Sequence, residues 1–257
     1  MSTDVGSAYD LVAAEYDRLT EQDRWMRAVL WRHYARLFRP GMSVLDVCCG
    51  TGQDALFLAR SGMATTGIDA SPGMVGQLRS KAKAMGIRLD SRVGMADDLR
   101  IFRTGSFDGI VSGFAGLNTV PDLLSFAAEA RRVLRPSGRL IAHMLAPPGI
   151  WDWLPLALKG QWREARDLRR SREKIIAVCG NPIRHILLPG RETYARFFQS
   201  QFHLRRVYAL GFIWNQHWDR RMPESFAYLG GRVEAVLGRY QPFVNWGRFF
   251  VLDLERR

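Results

Sequence analysis

The chain has 257 residues, 47% of them hydrophobic and 24% charged, the composition of a globular domain and not of a disordered or collagen-like one. Its net charge is +12, and residues 151–257 carry +9 of it; such a field attracts phosphates, acidic substrates, nucleic acid or anionic lipid heads. Only four of the 37 basic residues are lysine, a bias that genome composition explains equally well. No apolar run reaches membrane-spanning length, the first residues lack the basic and apolar regions of a secretory signal, and Cys48, Cys49 and Cys179 form no metal-ligating spacing. A cytoplasmic chain with no metal site and no transmembrane segment is therefore expected.

Apolar residues at helical spacing predict two helices over residues 8–38, the second ended by Pro40-Gly41. Then short apolar runs alternate with helical stretches. SVLDVCC, ATTGID, IRLDSRVG, SFDGIVSGF and GRLIAHML read as strands. DALFLARSG, SPGMVGQLRSKAKAMG and PDLLSFAAEARRVLRP read as the helices between them. This is the rhythm of a parallel sheet covered on both faces. Past Pro147-Pro148 it breaks: residues 150–174 look helical, and HILL is an isolated extended piece. RETYARFFQSQ is a helix, LRRVYALGFI a strand, 224–240 a helix and GRFFVLDLERR a last strand. The expected organisation is one domain, 1–257. It divides into a helical cap (1–40), a core (41–146), a lid-like insertion (147–190) and C-terminal helices and strands (191–257).

The segment from Val44 to Gly52 is the most informative. A buried strand ends in a glycine-bearing turn that opens a helix, so backbone can approach a ligand and free N–H groups face it. Asp69 closes the next strand, where a carboxylate suits the two hydroxyls of a ribose. A nucleoside cofactor at the carboxyl ends of the strands follows. Gly50-x-Gly52-x-x-Ala55 also fits the dinucleotide pattern, with Asp69 at about the expected 20 residues. Asp46, four residues before Gly50, argues the other way: an acid is costly beside a pyrophosphate and apt beside a sulfonium and an α-amino group.

VLDVCCGTG resembles motif I of the class I S-adenosylmethionine-dependent methyltransferases. GIDASPGM resembles that family's second strand and following helix. FDGIVSGFAGLNTVPD with EARRVLRPSGRLI resembles its fourth strand, helix and fifth strand, and Tyr9-Asp10 and Tyr16-Asp17 its paired YD elements. SGFAGLN and the glycine turn are similar to the ubiquinone and menaquinone biosynthesis type. The resemblance implies a Rossmann-like, mostly parallel seven-stranded α/β sheet of order 3-2-1-4-5-7-6, its last strand antiparallel between the fifth and sixth. It implies S-adenosylmethionine as cofactor and S-adenosylhomocysteine as product. Asp46, Cys49, Gly50, Thr51 and Gly52 would surround the methionine portion. Asp69 would hold the ribose, with Ala70 and Met74 beside the adenine and Met95, Ala96 and Asp97 at its rim. Gly113 and Phe114 would lie against the methionine moiety, and Tyr16 would close the site. Two positions depart from the pattern: Cys48 replaces its first glycine, and Gly94-Met95-Ala96-Asp97 lacks its usual adenine-binding carboxylate.

Methyl transfer is an in-line displacement from a good leaving group, so positioning and water exclusion supply much of the rate. Where the nucleophile must lose a proton, His143 at the end of the fifth strand is the candidate base and Asn118 the candidate orienting group. His185, Tyr194 and His217 rank below them. The eight tryptophans avoid residues 32–150 and fall in the capping segments. With the interleaved arginines they suit a flat or isoprenoid-like small molecule bearing an acidic group. The series Arg163, Arg166 and Arg170 reads as a solvated helix face. The charge raises an RNA or DNA methyltransferase as an alternative. SGFAGLN, however, lacks the Asn/Asp-Pro-Pro-aromatic motif of amino-methylating nucleic-acid enzymes, so a nucleic-acid partner is not expected. An NAD-dependent oxidoreductase and a non-catalytic cofactor-binding or membrane-surface protein are the remaining readings. The sequence leaves the oligomeric state and the acceptor atom open.

Overall fold

Alternation of strand and helix produces a doubly wound sheet. The computed structural model describes residues 5–213 and 224–257. In chain order the elements are α1 (Val5–Asp10), α2 (Tyr16–Leu19), α3 (Arg24–Leu37), β1 (Ser43–Val47), α4 (Gln53–Arg60), β2 (Ala64–Asp69), α5 (Pro72–Ala84), β3 (Asp90–Val93), β4 (Phe107–Ser112), α6 (Leu123–Val133), β5 (Leu134–Leu145), α7 (Ile150–Leu158), α8 (Trp162–Arg170), β6 (Glu173–Val178), β7 (Asn181–Ile186), α9 (Gly190–Thr193), β8 (Phe202–Leu210), α10 (Glu224–Leu237) and β9 (Phe249–Arg256). A 3-10 turn, Gly116–Thr119, follows β4, and a π turn, Tyr194–Phe198, follows α9.

The main sheet runs β3-β2-β1-β4-β5-β9-β8. Numbering only the strands of this sheet gives 3-2-1-4-5-7-6, as expected. β1 to β5 pair in parallel, while β9 lies antiparallel to both β5 and β8. The central strands are buried on both faces, hence their unbroken apolar runs. On one face Ile110, Leu140 and Leu252 pack with Phe126 and Phe198; on the other Val111, Ile141 and Val251 pack with Leu30 and Tyr34. Local chemistry sets the helix starts. Ser71 accepts from the Met74 N–H with Pro72 at the first position of α5, and Asp122 accepts from the Leu124 and Ser125 N–H groups to open α6.

Two expectations are corrected. Residues 8–38 form three helices, not two. Residues 150–174 are not helical throughout: α7 and α8 are followed by β6, which pairs with β7 as a separate two-stranded hairpin. Its turn is Cys179-Gly180, with φ of 47° and 80°, the doubly positive geometry of a two-residue hairpin turn. The overlooked signal is the β-branched run Ile175, Ile176 and Val178 before that turn. The hairpin packs on the 3-10 turn and α1, and Asn118 Nδ2 donates to the Ile186 carbonyl at 2.6 Å.

Candidate functional site

Five parallel strands present their carboxyl ends to one edge of the sheet, and the loops leaving β1 to β4 help enclose a cleft. It spans about 920 Å³ when the open solvent at its entrance is counted. β1 supplies Asp46 and the turn Cys48–Gly50. β2 supplies Asp69 and Ala70, and the loop after β3 supplies Met95 and Ala96. The loop after β4 supplies Gly113, Phe114 and Gly116.

The glycine turn is shaped by left-handed backbone at Cys48, Gly50 and Gly52, with φ of 54°, 53° and 80°. Gly52 caps α4, and a Cβ there would strike the Leu78 side chain at 2.1 Å. Asp69 ties the turn to β2. Its Oδ2 accepts the Gly50 N–H at 2.8 Å and its Oδ1 accepts the Ser71 N–H at 2.9 Å. The Ala70 N–H also donates to this carboxylate, which still has acceptor capacity for a further donor from the cleft it lines. Burial raises the Asp69 carboxyl above its usual range, against these backbone bonds.

Behind the turn lies a buried charged group that the sequence does not announce. Arg27 Nη1 and Trp31 Nε1, both from α3, donate to Asp54 Oδ1 at 2.8 and 2.7 Å. The Arg27 guanidinium also stands 4.0 Å from the centre of the Phe114 ring. Asp46 is 1% exposed, and its Oδ2 is buried without a hydrogen-bond partner. Burial, then the nearby Asp54 carboxylate, push the Asp46 carboxyl well above the usual range, with Arg27 pulling the other way. A buried acid with an unmet acceptor is matched by an incoming cationic donor.

The YD pairs divide their labour. Tyr9 and Tyr16 line the cleft with ring centres 6.1 Å apart, and burial holds both as phenols. Their neighbouring aspartates fasten the short helices to the core. Asp10 Oδ1 accepts from the Ser71 hydroxyl and from the Gly73 N–H at 2.7 Å. Asp17 accepts from the Thr51 hydroxyl, from Gln53 Nε2 at 2.8 Å and from Lys81 Nζ at 2.6 Å.

The structure brings twelve of the residues named from the sequence into one cleft: Tyr16, Asp46, Cys49, Gly50, Thr51, Asp69, Ala70, Met74, Met95, Ala96, Gly113 and Phe114. Gly52 and Asp97 lie outside its lining; Gly52 serves the helix cap. Sequence reasoning missed Arg27, Gln53 and Asp54, and the apolar lining of Val5, Val120 and Pro121. Gln53 and Asp54 stand in the first turn of α4, where the glycine pattern could have pointed to them.

His143 does not reach the cleft. It is 1% exposed and sandwiched between the Phe114 and Phe249 rings. Its Nδ1 accepts the Phe114 N–H at 3.2 Å, and burial lowers its pKa to about 3. A neutral imidazole acting as an acceptor at Nδ1 positions Phe114; it is not placed as a base. Asn118 is also buried outside the cleft, bonded to both the N–H and carbonyl of Leu145 and to Ile186. These bonds dock the hairpin and leave the amide unable to reach a substrate. His185 is buried in β7, and Tyr194 donates to the Phe202 carbonyl. Burial holds Cys48 and Cys49 as thiols, so neither is an activated nucleophile. None of the described tryptophans lines the cleft. Trp31 stacks on Phe57 at 4.5 Å and Trp153 meets Arg169. His217, Trp214 and Trp218 lie outside the described residues. Arg163, Arg166 and Arg170 are exposed, as expected. Among the described residues no group of acidic, cysteine and histidine side chains could hold a metal ion, and no helix is long and apolar enough to cross a membrane.

The chain is similar to known proteins in sequence and in fold. Residues 44–138 match the family described as a methyltransferase domain. An uncharacterized methyltransferase of Synechocystis sp. is 38% identical over 121 residues, 46% of this chain and 55% of the relative. A demethylmenaquinone methyltransferase of Listeria welshimeri is 33% identical over 156 residues, 58% of this chain and 65% of the relative. The chain thus spans less than two thirds of the length of either. A SAM-dependent methyltransferase structure from Methanosarcina mazei superposes with a TM-score of 0.59 at 18% identity, covering 86% of this chain and 95% of that one.

Proposed function

We infer that this chain is a class I S-adenosylmethionine-dependent methyltransferase that transfers a methyl group from S-adenosylmethionine to a small-molecule acceptor, a reading supported by its domain match, its relatives and its fold. The observation that carries this is Asp46, buried in the cleft with an unpartnered oxygen beside Asp54. A buried acid with an unmet oxygen gains a partner in a cationic amino group and offers a pyrophosphate no positive charge, so the dinucleotide alternative is not favoured. The cofactor supplies an electrophilic methyl on a sulfonium. Asp46 would hold its amino group, through the unmet oxygen. Asp69 would take the ribose hydroxyls on its free lone pairs. Met74, Met95 and Ala96 would enclose the adenine, and Gly113 and Phe114 would abut the methionine portion.

For the acceptor, we propose an electron-rich aromatic ring carrying an apolar tail. The apolar lining of the cleft includes Val5, Val120, Pro121 and Phe114, and no histidine is among the described residues that line it. Such a site favours a nucleophile that needs no strong base, held by shape and shielded from water. The Listeria relative's name points to the same class. The hairpin β6–β7, seated on the 3-10 turn, serves as the lid of this proposal.

Calorimetric titration with S-adenosylmethionine, S-adenosylhomocysteine and NADH tests the cofactor assignment. Binding of both sulfur nucleosides and not of NADH is expected; binding of NADH alone would overturn it. Asp69→Ala should weaken cofactor binding by at least about tenfold, because hydrogen bonds to a charged acceptor are worth about 1.5–3 kcal/mol each. Product formation on prenylated and unprenylated naphthoquinols then tests the acceptor class. Turnover on nucleic acid alone would refute it.

A further inference from the structure

Helix α10 presents apolar residues on the side away from the core. Its inner side is Gly231, Glu234 and Gly238, all buried. A Cβ on Gly231 would press on Trp25 and Val29 at 2.9 Å, and Glu234 accepts the N–H groups of Gly211 and Ile213. At 3.6 residues per turn the opposite side gathers Leu229, Val233, Val236 and Leu237, and the line continues into Tyr240. These five are 58, 42, 52, 36 and 62% exposed. A contiguous apolar stripe facing outward marks an interaction surface, unlike scattered single residues.

One flank of the stripe is strongly basic. Arg232 and Arg239 lie along its edge and line a groove into which seven arginines converge, Arg36 and Arg206 among them. The acids there are already engaged: Asp253 by Arg139 and His33, and Glu255 by Arg205. Crowding shows in Arg239, whose pKa falls below its ordinary value through burial and the adjacent Arg206 and Arg36. Arg139 begins the stretch of β5 paired with β9, and Leu145 ends it. The groove therefore lies at the end of the sheet away from the cleft.

We propose that the outer stripe of α10 and its arginine flank dock the protein on an anionic lipid bilayer. Leu229, Val233, Val236, Leu237 and Tyr240 enter the boundary between headgroups and acyl chains, and the arginines meet lipid phosphates. Charge selects this occupant over a second copy of the chain, because a two-fold pairing of the stripes brings two arginine flanks together. A soluble polyanion would fill the groove and leave the stripe bare. None of these residues lines the cleft.

The test is co-sedimentation of the full chain with phosphatidylcholine vesicles, with and without phosphatidylglycerol. Two paired variants are compared, Arg232→Glu with Arg239→Glu and Val233→Ser with Val236→Ser, their folding checked by thermal melts. Arg232→Gln with Arg239→Gln replaces the charge reversal if that variant fails to fold. Binding only to phosphatidylglycerol vesicles is expected, weakened by salt and by about tenfold or more in each pair. Absence of binding to anionic vesicles overturns the proposal. So does binding that the Val233→Ser, Val236→Ser pair leaves unchanged, with equal capture on heparin, which assigns the groove to soluble polyanions. A wild-type dimer that the same serine pair dissociates assigns the stripe to a second copy.

Discussion

A Cβ placed on Gly116 would lie 2.4 Å from the Cβ of Cys48. Cys48 occupies the first glycine position of the turn in left-handed backbone, and the room its side chain needs is provided by a glycine 68 positions away in the loop after β4. The two residues should therefore be coupled. Gly116→Ala is expected to destabilise by about 1–3 kcal/mol through overpacking. Cys48→Gly alone should stay within about 1 kcal/mol of wild type, relief of the left-handed strain offsetting the extra chain entropy. The double variant should recover roughly 1 kcal/mol or more of the Gly116→Ala loss in urea unfolding. Simple additivity of the two changes would show that the side chains do not meet.

Asp46 should make cofactor binding a proton-releasing event. Its carboxyl is held well above the usual range in the free protein by burial and by Asp54. A cationic amino group at its unpaired oxygen favours the ionised form. S-adenosylmethionine affinity should thus rise with pH until the free protein has itself lost that proton. Calorimetry in buffers of different ionisation enthalpy should detect proton release, and Asp46→Asn should abolish it. Equal proton release in that variant would move the effect to another group, with Asp69 the next candidate.

Asp17 should anchor the cap in a pH-dependent way. Burial raises its carboxyl, but hydrogen bonds from Lys81, Thr51 and Gln53 outweigh this and hold it below the usual range. A lowered folded value means that its stabilisation is present above the unfolded pKa of about 3.9 and is lost as pH falls through the folded one. Asp17→Asn should cost about 1–2 kcal/mol at neutral pH, and the gap to wild type should narrow in acid. It should also weaken cofactor binding, since Tyr16 stands next to the clamp. A pH-independent gap would mean that shape, not charge, holds the helix.

His143 should contribute to acid lability and not to the pH profile of turnover. Its pKa falls from 6.5 to about 3 on folding, so between those values the unfolded chain binds the extra proton and stability drops as pH drops. His143→Gln should flatten the stability curve across that window in denaturant titrations. A wild-type acid limb in kcat that vanishes in His143→Gln would instead place the imidazole in the chemistry.

The sheet was legible because its signals are local. Buried parallel strands are continuous apolar runs, and the turn after β1 spells two of its three positive-φ positions, Gly50 and Gly52, as glycines. The acids at the ends of β1 and β2 fall at fixed offsets from that turn. The hairpin β6–β7 was less legible: its turn is Cys179-Gly180, and its strands join no larger sheet. The buried group at the back of the cleft was not legible at all. Arg27 and Trp31 read as ordinary members of an amphipathic helix, and nothing near them in the chain names Asp54.

What the amino-acid sequence determines by itself is therefore the fold and the identity of most residues at the cleft, because periodicity, glycines and strand-end carboxylates act over a few positions. What only the tertiary structure decides is which polar groups face the ligand and which serve the scaffold. His143 and Asn118 sit at the right edge of the sheet by sequence, yet their bonds to Phe114, Leu145 and Ile186 draw them into the interior. Burial and hydrogen-bond satisfaction are set by whatever lies across the fold, and that partner is unspecified until the chain has closed on itself.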